Sequence, residues 1–323
     1  MKKILVSFFI FLALLLCLDY IGYRMIINNY LSFLPQEERL EAVKHYPSWF
    51  DNRLRLYDET TMKWFEEHKD THGFREPVGL DYKKAPVWMF GCSFVFGVGH
   101  QGWHALEDTF GYIFSQEAKR PVYNRAYPSW GVQHMLYQLK KGEIFNELPE
   151  PEYVIFNYIS DHARRTQKIV YDAFSDGGYL RYKENKDGKL EEIKPVLPLT
   201  WKFNPVKLWL GHLEYEIRCA EEKHDKNFDL LKKMFIESRD ILKAKYPNTK
   251  FVILLYNGND GFDGWYIETE RWEELKDENF IVIRADELIG ENLKDEKFLD
   301  PDGYHPNPYA WKLVSKELAK LLN

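Results

Sequence analysis

Val87-Trp88-Met89-Phe90-Gly91-Cys92-Ser93-Phe94-Val95-Phe96-Gly97 reads as a short buried strand that runs through a glycine-flanked turn into a helix. Four further apolar runs repeat the strand pattern downstream, at Val122–Asn124, Tyr153–Tyr158, Phe251–Tyr256 and Phe280–Arg284. Between them lie segments of helical period, Leu106–Ala118, Val132–Lys141, Phe228–Tyr246 and Tyr266–Asp277, and Pro308–Leu322 closes the chain. Unbroken apolar strands alternating with helices predict an α/β fold: a doubly wound, three-layer α/β/α sandwich around a five-stranded parallel sheet.

Outward from this body the pattern changes twice. Residues 166–224 break the alternation and are expected to form an insertion within an 83–323 domain. It contains a small hairpin, Tyr179–Tyr182 and Leu190–Ile193, around Lys186-Asp187-Gly188-Lys189. Residues 28–82 form a polar, aromatic lead-in with helical stretches near Gln36–His45 and Glu59–His68. Ahead of it, Met1-Lys2-Lys3 precedes the apolar run Ile4–Leu18, a charged segment followed by the hydrophobic segment of an export signal. No small-x-small cleavage site follows. Fifteen helical residues span about 22 Å, and Tyr20–Ile27 extends the run toward the roughly 30 Å of a hydrocarbon core. Residues 1–27 are therefore expected to be an uncleaved transmembrane anchor with the main domain outside the cytoplasm. A buried helix of a soluble protein is the other reading.

The chain of 323 residues is 45% hydrophobic and 16% aromatic, with a net charge of −6. Residues 1–27 carry +2 of this, leaving −8 for the rest, and no basic run marks a path for a phosphate backbone. Nucleic acid is not an expected partner. Cys17, Cys92 and Cys219 include no C-x-x-C pair, no His/Cys spacing indicates a metal, and the pairing of Cys92 with Cys219 is left open. Neither a Walker nor a dinucleotide loop is present, so no cofactor is implied.

Ser93 sits where chemistry collects in an open parallel sheet, at the carboxyl end of a strand. Taken alone, a Gly-x-Ser turn is most often only a turn. At the far end, Asp300-Pro301-Asp302-Gly303-Tyr304-His305-Pro306-Asn307 precedes the last helix. Asp302 is spaced to orient His305, leaving the other ring nitrogen to take a serine proton. His305 alone reads equally as a residue of a capped turn.

Together the two ends resemble the SGNH hydrolases, also called the GDSL esterase superfamily. Its first motif places Ser after a short strand, and its last is Asp-x-x-His before the final helix. Thr71-His72-Gly73-Phe74-Arg75 is similar to a lead-in of membrane-anchored members. Asn124-Arg125-Ala126-Tyr127-Pro128-Ser129-Trp130-Gly131 is similar to the second motif, with Ser129 in place of the oxyanion glycine. Tyr158-Ile159-Ser160-Asp161-His162 aligns with the third, with Ser160 in place of the oxyanion Asn. Gly258-Asn259-Asp260 looks like that motif but follows the fourth strand.

The resemblance implies Ser93 as nucleophile, His305 as base and Asp302 as orienter, with Ser129 and Ser160 serving the oxyanion. Asn124, Trp130, Gly131, His162 and Arg165 are substrate-binding candidates, a cation from the group His162, Arg164 and Arg165 replacing the missing donor or holding an anionic substrate; the other reading of that group is a set of solvated residues that open a helix. Trp103, Trp130 and Trp201 are candidate sugar-stacking rings. The expected activity is that of a serine-dependent esterase or O-acetyltransferase on acyl esters of extracytoplasmic glycans, without a cofactor and with export machinery as a further partner. The alternative is a non-catalytic glycan-binding or assembly protein on the same scaffold.

Overall fold

The computed structural model describes residues 7, 11, 14, 74–99, 102–128, 130–166, 181–193, 224–256 and 269–323. The bulk of the expected anchor, both lead-in helices, Cys219, Trp201, Ser129 and the Gly258-Asn259-Asp260 loop lie outside these residues. Among the described residues no helix is long and apolar enough to cross a membrane.

Strand β1 (Val87–Phe90) enters a single helical turn, α1 (Ser93–Phe96), followed by a small hairpin of β2 (Val98–Gly99) and β3 (Gly102–Trp103). Then come α2 (Phe110–Ala118), β4 (Val122–Asn124), α3 (Val132–Lys141), α4 (Ile144–Glu147), β5 (Tyr153–Tyr158) and α5 (Asp161–Arg165). After the hairpin β6 (Arg181–Glu184) and β7 (Leu190–Ile193) the alternation resumes with α6 (His224–Lys245), β8 (Lys250–Leu255) and α7 (Thr269–Asp277). It ends with β9 (Ile281–Arg284), α8 (Ala285–Ile289) and α9 (Pro308–Leu322).

The main sheet runs β4-β1-β5-β8-β9, every neighbouring pair parallel. Val87 lies between Val122 and Tyr153, and Phe90 pairs with Phe156. Side chains alternate along each strand and fill two separate cores. Val87, Met89, Ile155, Val252 and Leu254 face α2 and α9 on one side. Trp88, Phe90, Phe156, Ile253 and Leu255 face α3, α6 and α7 on the other. Burial on both faces explains why these strands are continuously apolar, each large side chain contributing about 1.5–3 kcal/mol. Trp311 of α9 stacks on Phe110 of α2 with centroids 4.4 Å apart, which fixes the last helix against the first core.

One expected helix is divided by a side chain. The helix expected over Leu106–Ala118 is split by Thr109, whose extended backbone begins α2 and whose hydroxyl donates to Leu106 O at 2.7 Å. The turn between β6 and β7 is closed by Asn185, its side-chain oxygen accepting from the amides of Asp187 and Lys189, while Tyr179 and Leu180 of the expected first strand lie outside the described residues. The end of the lead-in joins the packed body: Val78 bridges Val122 at the outer edge of β4, and Phe74 and Arg75 are buried.

Candidate active site

Gly91 ends β1 at φ +154, and a Cβ there would lie 2.7 Å from Val95 Cγ2, so the turn closes this tightly only without a side chain. Ser93 is the first residue of α1, which leaves its amide without an intrahelical acceptor. Two side chains hold α1 from behind. Asn124 Nδ2 donates to Val95 O at 2.8 Å, while its oxygen accepts from Ala126 N at 3.0 Å. Arg75 donates from Nε to Phe96 O at 2.9 Å and from one terminal nitrogen to Gly97 O and His104 O at 3.1 and 2.9 Å. Burial lowers the Arg75 pKa to about 10, which leaves it charged at neutral pH.

His305 and Asp302 share the turn that leads into α9. His305 Nδ1 lies 2.6 Å from Asp302 Oδ2, and its Nε2 lies 3.0 Å from Ser93 Oγ. The other carboxylate oxygen, Oδ1, accepts from the amides of His305 and Tyr304 at 2.9 and 3.0 Å. Burial pushes the Asp302 carboxyl up, but the bonds from His305 and the two amides outweigh it and bring its pKa down to about 2. An ionised carboxylate only accepts, so Nδ1 carries the proton and Nε2 is left to accept from Ser93.

The turn itself is tied down by Asn307, which caps α9 through Ala310 N and donates to the carbonyls of Lys297 and Leu299. The site lies where the strand order reverses, between β1 and β5, because β4 follows β1 on one side and β5 lies on the other. Such a reversal point, at the carboxyl ends of the strands, is the usual binding position of a doubly wound sheet.

The remaining expected residues are placed differently from one another. Ser160 stands partly exposed beyond the end of β5, one strand over from Ser93. Arg165, expected to meet an anion, is buried instead. It pairs with the equally buried Asp161, Nε lying 2.6 Å from Oδ2, and also donates to Trp130 O. His162 is wholly buried, and burial together with the charge of Arg165 drives its pKa well below 6.5, so it supplies no cation. Asn124 braces α1 rather than facing substrate.

Trp130 is buried, its ring parallel to His134 at 4.8 Å, so it is no open sugar platform. The Gly131 amide donates to His134 Nδ1 at 3.1 Å at the start of α3. Cys92 is a free, buried thiol. Three features escaped the sequence reading. Tyr304 is 41% exposed with its ring 4.9 Å from that of His305. Arg75 clamps α1, its one signal being the Gly73-Phe74-Arg75 lead-in. A second His/Asp pair, His104 and Asp300, carried no signal, since the two lie 196 positions apart.

No protein-family model matches this chain, and no curated protein does. Among solved structures it is similar to an acetyl xylan esterase from the rumen bacterium Butyrivibrio proteoclasticus, at 15% identity over 74% of this chain and 63% of that one, with a TM-score of 0.41. It is also similar to a carbohydrate esterase family 2 enzyme with a carbohydrate-binding domain from Corynascus thermopiles, at 12% identity over 74% of this chain and 65% of that one, TM-score 0.39. A third is a member of the lipolytic G-D-S-L family from Veillonella parvula, at 12% identity over 73% and 97% of the two chains, TM-score 0.42. Likenesses at this level do not bear on activity, which has to be read from the side chains.

Proposed function

We propose that this protein is a serine-dependent hydrolase or O-acyltransferase of the SGNH type, acting on acyl esters, and in particular O-acetyl esters, of extracytoplasmic glycans. The observation that carries the reading is the continuous Asp302–His305–Ser93 relay, with contacts of 2.6 and 3.0 Å. In the reaction Ser93 Oγ attacks the acyl carbon while its proton passes to His305 Nε2, and the Asp302 carboxylate stabilises the imidazolium that forms. The Ser93 amide receives the oxyanion, with the Ser129 amide and the Ser160 hydroxyl as further donors read from the sequence motifs.

His305 then returns the proton to the leaving sugar oxygen. Water or a second sugar hydroxyl resolves the acyl-enzyme in the same way, which distinguishes hydrolysis from transfer. Tyr304 offers the exposed ring beside the relay on which a sugar can stack. The same reading places the protein in a membrane by residues 1–27, with the relay outside the cytoplasm and export machinery as its neighbour. What supports that part of the reading is the charged Met1-Lys2-Lys3 start and the apolar run Ile4–Leu18 that follows it.

A fluorophosphonate probe tests the core of the proposal, since it reacts with an activated serine whatever the substrate. Wild-type protein should be labelled at Ser93, and both Ser93→Ala and His305→Ala should abolish labelling and acetyl-ester turnover. A wild-type protein that stays unlabelled would support the non-catalytic glycan-binding alternative.

A further inference from the structure

The gap between nucleophile and base depends on two segments of chain that have no covalent reason to be in register. Ser93 and His305 lie 212 positions apart and meet through one hydrogen bond, with the Phe94 ring 5.1 Å from that of His305; Asp302 orients the imidazole within its own turn, so the placement of the whole turn against α1 is what has still to be held. A second cross-link joins the same two segments. His104, just beyond the β2–β3 hairpin, has Nε2 2.7 Å from Asp300 Oδ2, both side chains nearly buried at 10% and 11% exposure.

Each end of this link is wired to the relay through the backbone. His104 N donates to Gly97 O at 2.8 Å, the residue that caps α1, and Arg75 bonds both carbonyls. At the other end Asp300 N donates to His305 O at 2.8 Å. Gly99 lies against the link itself, for a Cβ there would sit 2.1 Å from Asp300 Oδ2 and 2.2 Å from His104 Nε2. The absence of a side chain at Gly99 thus leaves the room that an intact His104–Asp300 contact needs.

We propose that the His104–Asp300 pair is a positioning device, which holds the Asp302/His305 turn so that His305 Nε2 meets Ser93. The proposal rests on the serine-hydrolase reading above. A second polar cross-link between the same segments restricts displacement of the turn relative to α1, and a displacement of about 1 Å at a catalytic contact costs on the order of a hundredfold in rate. A purely structural pair would affect folding without a selective effect on the chemical step.

Three perturbations separate these cases. Gly99→Ala forces a methyl onto the link, His104→Phe removes its donor, and Asp300→Ala removes its acceptor. Asp300→Asn is the rescue, since its amide oxygen can still accept from the imidazole. The measurements are fluorophosphonate labelling rate, kcat and KM on p-nitrophenyl acetate, and melting temperature.

The expected result is labelling and kcat lowered about 10- to 100-fold in the first three variants at a KM within about twofold of wild type, with Asp300→Asn within about threefold. If Gly99→Ala or His104→Phe does not fold, the comparison of Asp300→Ala with Asp300→Asn decides. Wild-type rates in folded Asp300→Ala would overturn the positioning role while leaving the serine-hydrolase reading intact. An unlabelled wild-type protein would overturn both.

Discussion

The carboxylate of Asp302 accepts three hydrogen bonds from its own turn, from His305 Nδ1 and from the amides of Tyr304 and His305. This residue therefore has two duties, orienting the base and holding the turn. Replacement by Asn keeps the shape but lets an N–H face the imidazole, which favours the wrong tautomer. Asp302→Asn should lower kcat by on the order of 10⁴-fold.

The structural duty has its own pH signature. The Asp302 pKa is brought down from 3.8 to about 2, so the folded state holds the proton less tightly than the unfolded chain does. Its contribution to stability is then fully present above about pH 4 and is lost as the pH falls to about 2. The gap in melting temperature between wild type and Asp302→Asn should be open at pH 6 and close on acidification through that window. A gap that persists at pH 2 would show that the carboxylate has no such role.

At the scale of elements, the five-residue helix α5 shows how far a motif can mislead when its side chains are read as facing solvent. Asp161-His162-Ala163-Arg164-Arg165 looks like a charged helix start beside a substrate. Packing instead turns Asp161, His162 and Arg165 inward, and the Arg165 guanidinium ties α5 to the Trp130 carbonyl ahead of α3. Arg165→Ala would leave the Asp161 carboxylate buried without its cation, and denaturant unfolding should show a loss of about 3–5 kcal/mol. Combining it with Asp161→Asn should recover part of that loss. A silent Arg165→Ala would mean that the pair is not what holds α5.

The sheet strands, by contrast, were legible because each is a local apolar run, buried on both faces in β1, β5 and all but the first residue of β8. Val122–Asn124 and Tyr153–Tyr158 match residue for residue. The β2–β3 hairpin was not legible, since two-residue strands carry no periodicity.

For the whole molecule, the order β4-β1-β5-β8-β9 is what sets the Ser93 turn beside the end of β5, at the point where the strand order reverses. The proposed orientation to a membrane is a separate matter, which rests on Lys2, Lys3 and the Ile4–Leu18 run of the sequence. Alkaline phosphatase fused after Asn323 should be active, with the fusion in the membrane fraction at full mass. An inactive reporter, or a shortened soluble product, would count against the anchor.

The sequence by itself determined the alternation of strands and helices, the serine at the end of β1 and the Asp302/His305 turn. These are properties of a few adjacent residues, set by local backbone preference and by apolar pattern. Tertiary structure alone decided which polar residues meet. It brought His305 to Ser93 and Asp300 to His104, and turned Arg75 and Asn124 onto the carbonyls of α1 and its cap. It also placed Arg165, His162 and Trp130 in the interior. The physical reason is that a polar side chain's role depends on its burial and on the group opposite it, and both are set by segments up to 212 positions away in the chain.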